Sequence, residues 1–360
     1  MKKFLVLVFI FVLVGCGGMQ PETGTQPEKD QPLPTSAGPV TIRLMTHDSF
    51  SITEDVLKQF IDETGIKVEI FKGGDGGSIV NQAILSKDDP LADVAFGIDS
   101  TFFSRAIEGD IFIPYESPEL ANLDDSLKLD PENRLIPVDF GDVCLNYDKG
   151  WFANSELDPP SSLDDLVDPA YANLTVVENP ATSTPGLSFL FTTISVYGED
   201  GHLDYWKKLV DNGVVITDGW KDAYWGYFSA ASDGDRPIVV SYASSPPAEV
   251  FYAENPPEEA PTAAVVSDDT CFRQIEFVGI LKGAKHEAEA QKLVDFMLST
   301  KFQEDIPLQM FVYPANQKAQ LPDVFVKHSL TPDNPVTLKP EVITANRENW
   351  ITNWTETVLR

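Results

Sequence analysis

The stretch from Val40 to Gly97 constrains the fold most, because its apolar residues switch repeatedly between the period of a strand and that of a helix. Val40 to Met45 alternates as a strand does. Ser51-Ile52-Thr53-Glu54 reads as a capping box, Val56, Leu57 and Phe60 form one apolar stripe, and Gly65 is placed to end that helix. Lys67 to Phe71 is again strand-like. The glycine-rich turn Gly73-Gly74-Asp75-Gly76-Gly77-Ser78 follows, then a helix from about Ile79 to Leu85 and a buried strand from Ala92 to Gly97. Alternation of this kind predicts an α/β fold with a mostly parallel sheet.

The chain has 360 residues, 42% of them hydrophobic, enough to bury a substantial core and long enough to favour two lobes over one. A second stretch begins after Pro137-Val138-Asp139-Phe140-Gly141, runs through Trp206, Trp220 and Tyr242, and ends near Cys271. Val138 to Tyr147 and Phe272 to Ile280 are both extended in character, one entering this stretch and the other leaving it. A helix from about Lys285 to Leu298, with Ala290, Leu293, Val294 and Met297 on one face, returns to the first lobe. The expected division is a first lobe at 40–136 plus 280–309, a second at 141–270 and hinge segments at 137–140 and 271–279. The C-terminal segment 310–360 is left unassigned to either lobe.

Met1-Lys2-Lys3 and the apolar run Phe4 to Val14 have the basic start and short core of a secretory signal, too short to span a bilayer permanently. Its end, Leu13-Val14-Gly15-Cys16, resembles the bacterial lipoprotein cleavage box, which implies lipidation of Cys16. Residues 17–39 read as a flexible tether, since Gly17 to Gly38 holds four Pro, three Gln and three Thr. The body is therefore expected to be exported and held on the outer face of the cytoplasmic membrane. A formal net charge of −30 excludes nucleic acid as a partner, and its field favours cationic solutes. Beyond Cys16 only Cys144 and Cys271 remain; their spacing leaves a disulfide undecided. Both lie on the segments expected to cross between the lobes, so they are expected close together at the hinge. His47, His202, His286 and His328 are scattered, no cysteine spacing is of the metal type, and no metal site is predicted. No serine stands in a nucleophile elbow, so a binding role is favoured over an enzymatic one.

Eight segments in order along the chain carry a family likeness: His47-Asp48-Ser49-Phe50, Asp75-Gly76-Gly77-Ser78, Ala92-Asp93-Val94 through Gly97-Ile98-Asp99, Pro137-Val138-Asp139-Phe140-Gly141, Thr182-Ser183-Thr184-Pro185-Gly186, Asp218-Gly219-Trp220, Ser241 to Pro246, and Tyr313-Pro314-Ala315-Asn316. Together they resemble the periplasmic thiamine-binding proteins, within the class II (iron-transporter-like) solute-binding proteins. The resemblance implies a two-lobed periplasmic-binding-protein fold of type II, with a ligand cleft between α/β lobes joined by hinge strands. It also implies a membrane ABC permease as partner, action as a monomer, and thiamine, thiamine monophosphate or thiamine diphosphate as ligand, with no cofactor.

Thiamine offers a flat aminopyrimidine, a cationic thiazolium and a hydroxyethyl tail that can carry phosphate. A receptor needs aromatic faces, a carboxylate and an anion or hydroxyl binder. The resemblance places Asp75 and Gly76 at ligand positions and gives Trp220 and Tyr242 stacking roles. Phe311 stands where the family's motif carries tryptophan, and His47, beside Asp48, stands where it usually has tyrosine. Thr182 to Gly186 opens a helix over Leu187 to Phe191, making Ser183 and Thr184 candidates for phosphate or the terminal hydroxyl. Ala243, Ser244 and Ser245 extend the ligand segment after Tyr242. A polyamine or other small cation suits the same residue types. Ferric iron is disfavoured, because receptors of this class use adjacent tyrosines and the chain has no Tyr-Tyr. A thiamine- or pyrimidine-processing enzyme would need Cys144 or Cys271 as nucleophile.

Overall fold

The computed structural model describes residues 39–267 and 269–360, so the signal, Cys16 and the tether up to residue 38 lie outside the described residues. The strands are β1 (Thr41–Thr46), β2 (Lys67–Lys72), β3 (Val94–Asp99), β4 (Phe112–Ile113), β5 (Ile136–Asp148), β6 (Thr175–Glu178), β7 (Val215–Thr217), β8 (Ile238–Tyr242), β9 (Thr262–Val265), β10 (Phe272–Leu281) and β11 (Tyr313–Pro314). They join in one sheet of order β2-β1-β3-β10-β5-β8-β6-β7, with β4 on β10 and both β9 and β11 on β5. Pairing is parallel within β2-β1-β3 and within β8-β6-β7. Between these two groups β10 and β5 run antiparallel to each other and to their outer neighbours.

That long central pair links two apolar cores. Ile42, Leu44, Phe96 and Met297 belong to the first, together with Val138 of β5 and Ile275 of β10. Leu187, Phe191, Trp206 and Val240 belong to the second, with Val143 of β5 and Phe272 of β10. Between the cores both strands turn polar: Asp139 lies opposite Glu276, Gly141 opposite Gln274, and Asp142 opposite Arg273. Arg273 grips Asp142 through two bonds, Nε to Oδ1 at 2.7 Å and Nη2 to Oδ2 at 2.9 Å, and its guanidinium covers the Phe140 ring at 4.7 Å. Cys144 and Cys271 form a disulfide at the second-core end of this crossing, Cα atoms 4.3 Å apart, so the expected proximity is realised.

Local signals hold where their partners are local. The helix Glu54–Thr64 ends at Gly65, whose φ of 70° is left-handed and whose N–H donates to Ile61 at 2.8 Å. The predicted capping box does not form. The N-cap is Thr53, whose N–H and hydroxyl donate to Asp305 at 2.7 and 2.6 Å, while Ser51 donates to Gln309 at 3.1 Å. A carboxylate from the far end of the chain satisfies the helix start that Glu54 was expected to satisfy. The C-terminal segment divides between the cores. Val312 and Ala315 pack in the first, whereas the helix Pro340–Val358 sets Trp350 against Phe191 and Trp354 edge-on against Trp206 in the second.

Candidate ligand-binding site

A cleft of about 580 Å³ opens where the two cores meet. Its floor is the polar crossing of β5 and β10, where Asp139, Gly141, Gln274 and Glu276 line the cavity. One wall comes from the turn after β1, His47 and Asp48, and from Gly74-Asp75. The other comes from the helix start Thr182 to Pro185 and from Trp220, Tyr242 and Ser245.

Asp75 is the N-cap of the helix Gly76–Leu85 and accepts from the Gly76 N–H at 2.9 Å, so the helix start itself aims this carboxylate. Burial raises its pKa above the ordinary carboxylate range. Gly76 does not line the cleft. A Cβ there would sit 2.9 Å from Asp99 Oδ2 and 3.0 Å from the Gly97 carbonyl, so this glycine lets the helix start approach β3. Thr184 stands at the opposite helix start, and its hydroxyl donates to Asp99 Oδ2 at 3.1 Å, with Asp75 Oδ1 at 3.4 Å. Asp99 is pushed up to about 7 by burial, with the charges of Asp75 and Glu276 adding to the effect.

His47 points its Nε2 at Glu276 Oε2, 3.4 Å away. Burial alone would lower its pKa, but Glu276 and then Asp75 outweigh that and hold it above the ordinary value. Burial likewise works to raise Glu276, but His47, together with hydrogen bonds from Asp139 and Gln274, more than offsets it and leaves Glu276 below its ordinary value. The ring has room because Gly97, at φ 88°, carries no Cβ, which would stand 2.2 Å from His47 Cδ2. Asp139 is fully buried, Glu276 is the one hydrogen-bond partner of its carboxyl among the described residues, and burial, followed by the Glu276 charge and that bond, raises its pKa strongly.

The aromatic faces come from the second half. Trp220 donates its indole N–H to Ser241 at 2.8 Å and stacks on Tyr224, centroids 4.8 Å apart and planes 24° from parallel. Tyr242 lies over Gly141, where a Cβ would be 2.8 Å from its Cδ1, and donates its hydroxyl to Gln274 at 3.0 Å. Ser183 caps the helix Thr184–Asp211, a run broken at Gly198, and Pro185 occupies its first turn as expected. Ser245 reaches the cleft with its Oγ 2.8 Å from Ser241 Oγ. Ala243 and Ser244 stand behind the wall: Ala243 packs on the disulfide, and Ser244 donates at 2.6 Å to the Phe311 carbonyl. That bond holds Phe311, at φ 56°, where its ring meets Tyr252 at 5.3 Å on the cleft rim.

The structure thus gathers His47, Asp48, Asp75, Ser183, Thr184, Trp220, Tyr242, Ser245 and Phe311 around one space and leaves Gly76, Ala243 and Ser244 outside it. Sequence reasoning missed Asp139, Gln274 and Glu276 on the floor and Tyr224, Trp225 and Tyr252 among the aromatics. A signal existed for Asp139 and Glu276, since each is an acidic residue set directly between apolar ones in a strand, Val138 and Phe140 for the first and Ile275 and Phe277 for the second. Among the described residues no group of three His, Cys, Asp or Glu side chains is placed to hold a metal ion.

A cleft walled by two α/β halves and floored by the strands that cross between them defines a type II periplasmic solute-binding protein. The chain belongs to the family of bacterial extracellular solute-binding proteins, whose profile matches residues 89–330; it is a family of binding proteins and not of enzymes. The chain is 29% identical to the thiamine-binding periplasmic protein of Escherichia coli, over 91% of this chain and 96% of that one. It is also 29% identical to the protein of that name from Brucella suis, over 89% and 93%. A solved periplasmic thiamin binding protein superposes with a TM-score of 0.74 at 27% identity, covering 89% of this chain and 96% of that one. The ferric binding protein from Campylobacter jejuni shares the fold, at TM-score 0.72 and 16% identity over 88% and 99%.

Proposed function

We propose that this protein captures thiamine or a thiamine phosphate outside the cytoplasmic membrane and delivers it to an ABC permease, acting as a monomer held by lipid on Cys16 and the tether after it. The observation that carries the reading is the combination in one cleft of an acidic floor, aromatic faces and a helix start. The carboxylates suit the amino group and the ring cation, Trp220 and Tyr242 supply faces for flat rings, and the hydroxyls of Ser183 and Thr184 at the helix start suit a hydroxyl or phosphate tail. The names of the similar proteins agree with this chemistry. Residues 40–136 with 280–309 would form one lobe and 141–270 the other, closing about 137–140 and 271–279. Capture and release need no cofactor and no bond-making step, so no turnover of thiamine is expected.

Thermal unfolding with thiamine, its mono- and diphosphate, spermidine and Fe³⁺ tests this reading. A ligand held only by the folded state at a hundred times its Kd adds about 2.7 kcal/mol of stability. Stabilisation by one or more thiamine forms is expected. Stabilisation by spermidine alone would replace thiamine with a polyamine as the ligand.

A further inference from the structure

We propose that Asp139 is a specificity-determining hydrogen-bond acceptor on the cleft floor, reserved for an N–H donor of the ligand; it rests on the thiamine reading, under which the donor is the amino group of the pyrimidine ring. The floor pair is asymmetric. Glu276 faces His47 at 3.4 Å, receives the Gln274 amide at 3.4 Å and shares a hydrogen bond with Asp139, whereas Asp139, directly opposite on β5, has no other partner among the described residues, which leaves one of its oxygens without a donor. Asp139 is also 0% exposed, so solvent does not satisfy it. A buried carboxyl oxygen left without a donor is unfavourable in the ligand-free protein, and that cost is recovered when an occupant of the cleft supplies the missing donor.

The neighbours decide what kind of donor. Asp75, Asp99 and Glu276 make the surroundings acidic, which repels anions and bare carbonyl oxygens and favours an amino group on an electron-poor or cationic ring. Burial and the Glu276 charge favour the protonated form of the Asp139 carboxyl, in which one oxygen donates toward Glu276 while the other accepts from the ligand. An Asn in its place would preserve both roles, and an apolar side chain neither.

The test is calorimetric titration of thiamine and of its analogue with hydrogen in place of the pyrimidine amino group, against wild type, Asp139→Leu, Asp139→Ala, Asp139→Asn and Trp220→Ala. Wild type should prefer thiamine by about tenfold or more, the weight of a hydrogen bond to an otherwise unpaired buried group. Asp139→Leu and Asp139→Ala should shrink that preference to within about threefold by weakening thiamine alone, and Asp139→Asn should restore most of it. Trp220→Ala should weaken both ligands and keep the preference. Ligand-free Asp139→Leu should melt close to wild type, because removing a buried, half-satisfied acid offsets the loss of its bond to Glu276, and this separates recognition from support of the fold. Asp139→Ala makes the same comparison without asking leucine to fit. An unchanged preference in the Leu and Ala variants overturns the inference and leaves thiamine binding standing. Wild-type protein that binds neither compound overturns both.

Discussion

Asp99 has the most consequential environment of any single residue here. It is fully buried at the end of β3 with its carboxyl in reach of Thr101, Thr184 and the charges of Asp75 and Glu276. Its pKa in the folded chain, about 7, stands above the ordinary 3.8, so between those values it is protonated when folded and ionised when unfolded. The folded state then binds more protons, and stability falls as pH rises through that window and levels off above it. His47 pushes in the same direction: a base held above its ordinary 6.5 contributes stability below that value that is lost as pH rises through the folded one. Asp139 and Glu178, both raised by burial, add to the fall. Glu276, lowered, contributes stability above its ordinary value that is lost only in more acidic solution. Urea unfolding of ligand-free protein should therefore show stability decreasing between about pH 5 and pH 7, and Asp99→Asn should flatten that slope by about 1.4 kcal/mol per pH unit, one proton's worth. Equal slopes in the two proteins would show that Asp99 ionises normally.

Among the elements, the helix opening at Thr184 carries the sharpest functional expectation. Ser183 caps it weakly, accepting from the Gly186 N–H at 3.5 Å, so its hydroxyl is available to a ligand, whereas the Thr184 hydroxyl is engaged with Asp99. Replacing Ser183 and Thr184 together by alanine should weaken thiamine monophosphate by about 1 to 2 kcal/mol more than free thiamine, because only the phosphate forms charge-assisted bonds to this helix start. Paired titrations of both ligands read that difference directly. Identical losses would assign the two side chains to helix capping. The helix Glu54–Thr64 illustrates the reverse relation: its local capping signal was present, yet Asp305, brought in by tertiary packing, supplies the acceptors instead.

Across the whole molecule, two cores depend on one pair of crossing strands, and that pair is fastened by the Arg273–Asp142 fork and the Cys144–Cys271 disulfide. The cysteines are 127 residues apart, so the bridge closes a long loop that holds most of the second core, the rest coming from the strand ends and from the C-terminal helix with Trp350 and Trp354. Reduction, or the pair Cys144→Ala with Cys271→Ala, should cost about 2 to 5 kcal/mol of unfolding free energy by releasing the unfolded chain. Thiamine affinity should change little, since neither cysteine lines the cleft. Denaturant titration with and without reductant, followed by calorimetry on the double variant, measures both. A loss of affinity with stability intact would mean that the bridge sets the relative position of the walls.

Much of this protein was legible in its residues alone. Strand and helix alternation from β1 to β3, the stop at Gly65 and the helix start at Ser183 follow from periodicity or from side-chain chemistry within a few positions, whereas the aromatic candidates Trp220 and Tyr242 rest on the family resemblance. The ordered set of motifs pointed to the same cleft. What sequence could not supply was convergence. Asp139 meets Glu276 because of a strand register between segments far apart in the chain, and Ser244 turns from the ligand because a bond to Phe311 is available to it. Tyr252 faces the cleft through the placement of a short helix that its own sequence does not determine. Periodicity is a local property of the chain, whereas the partners of a buried polar group are chosen by how two cores pack about shared strands.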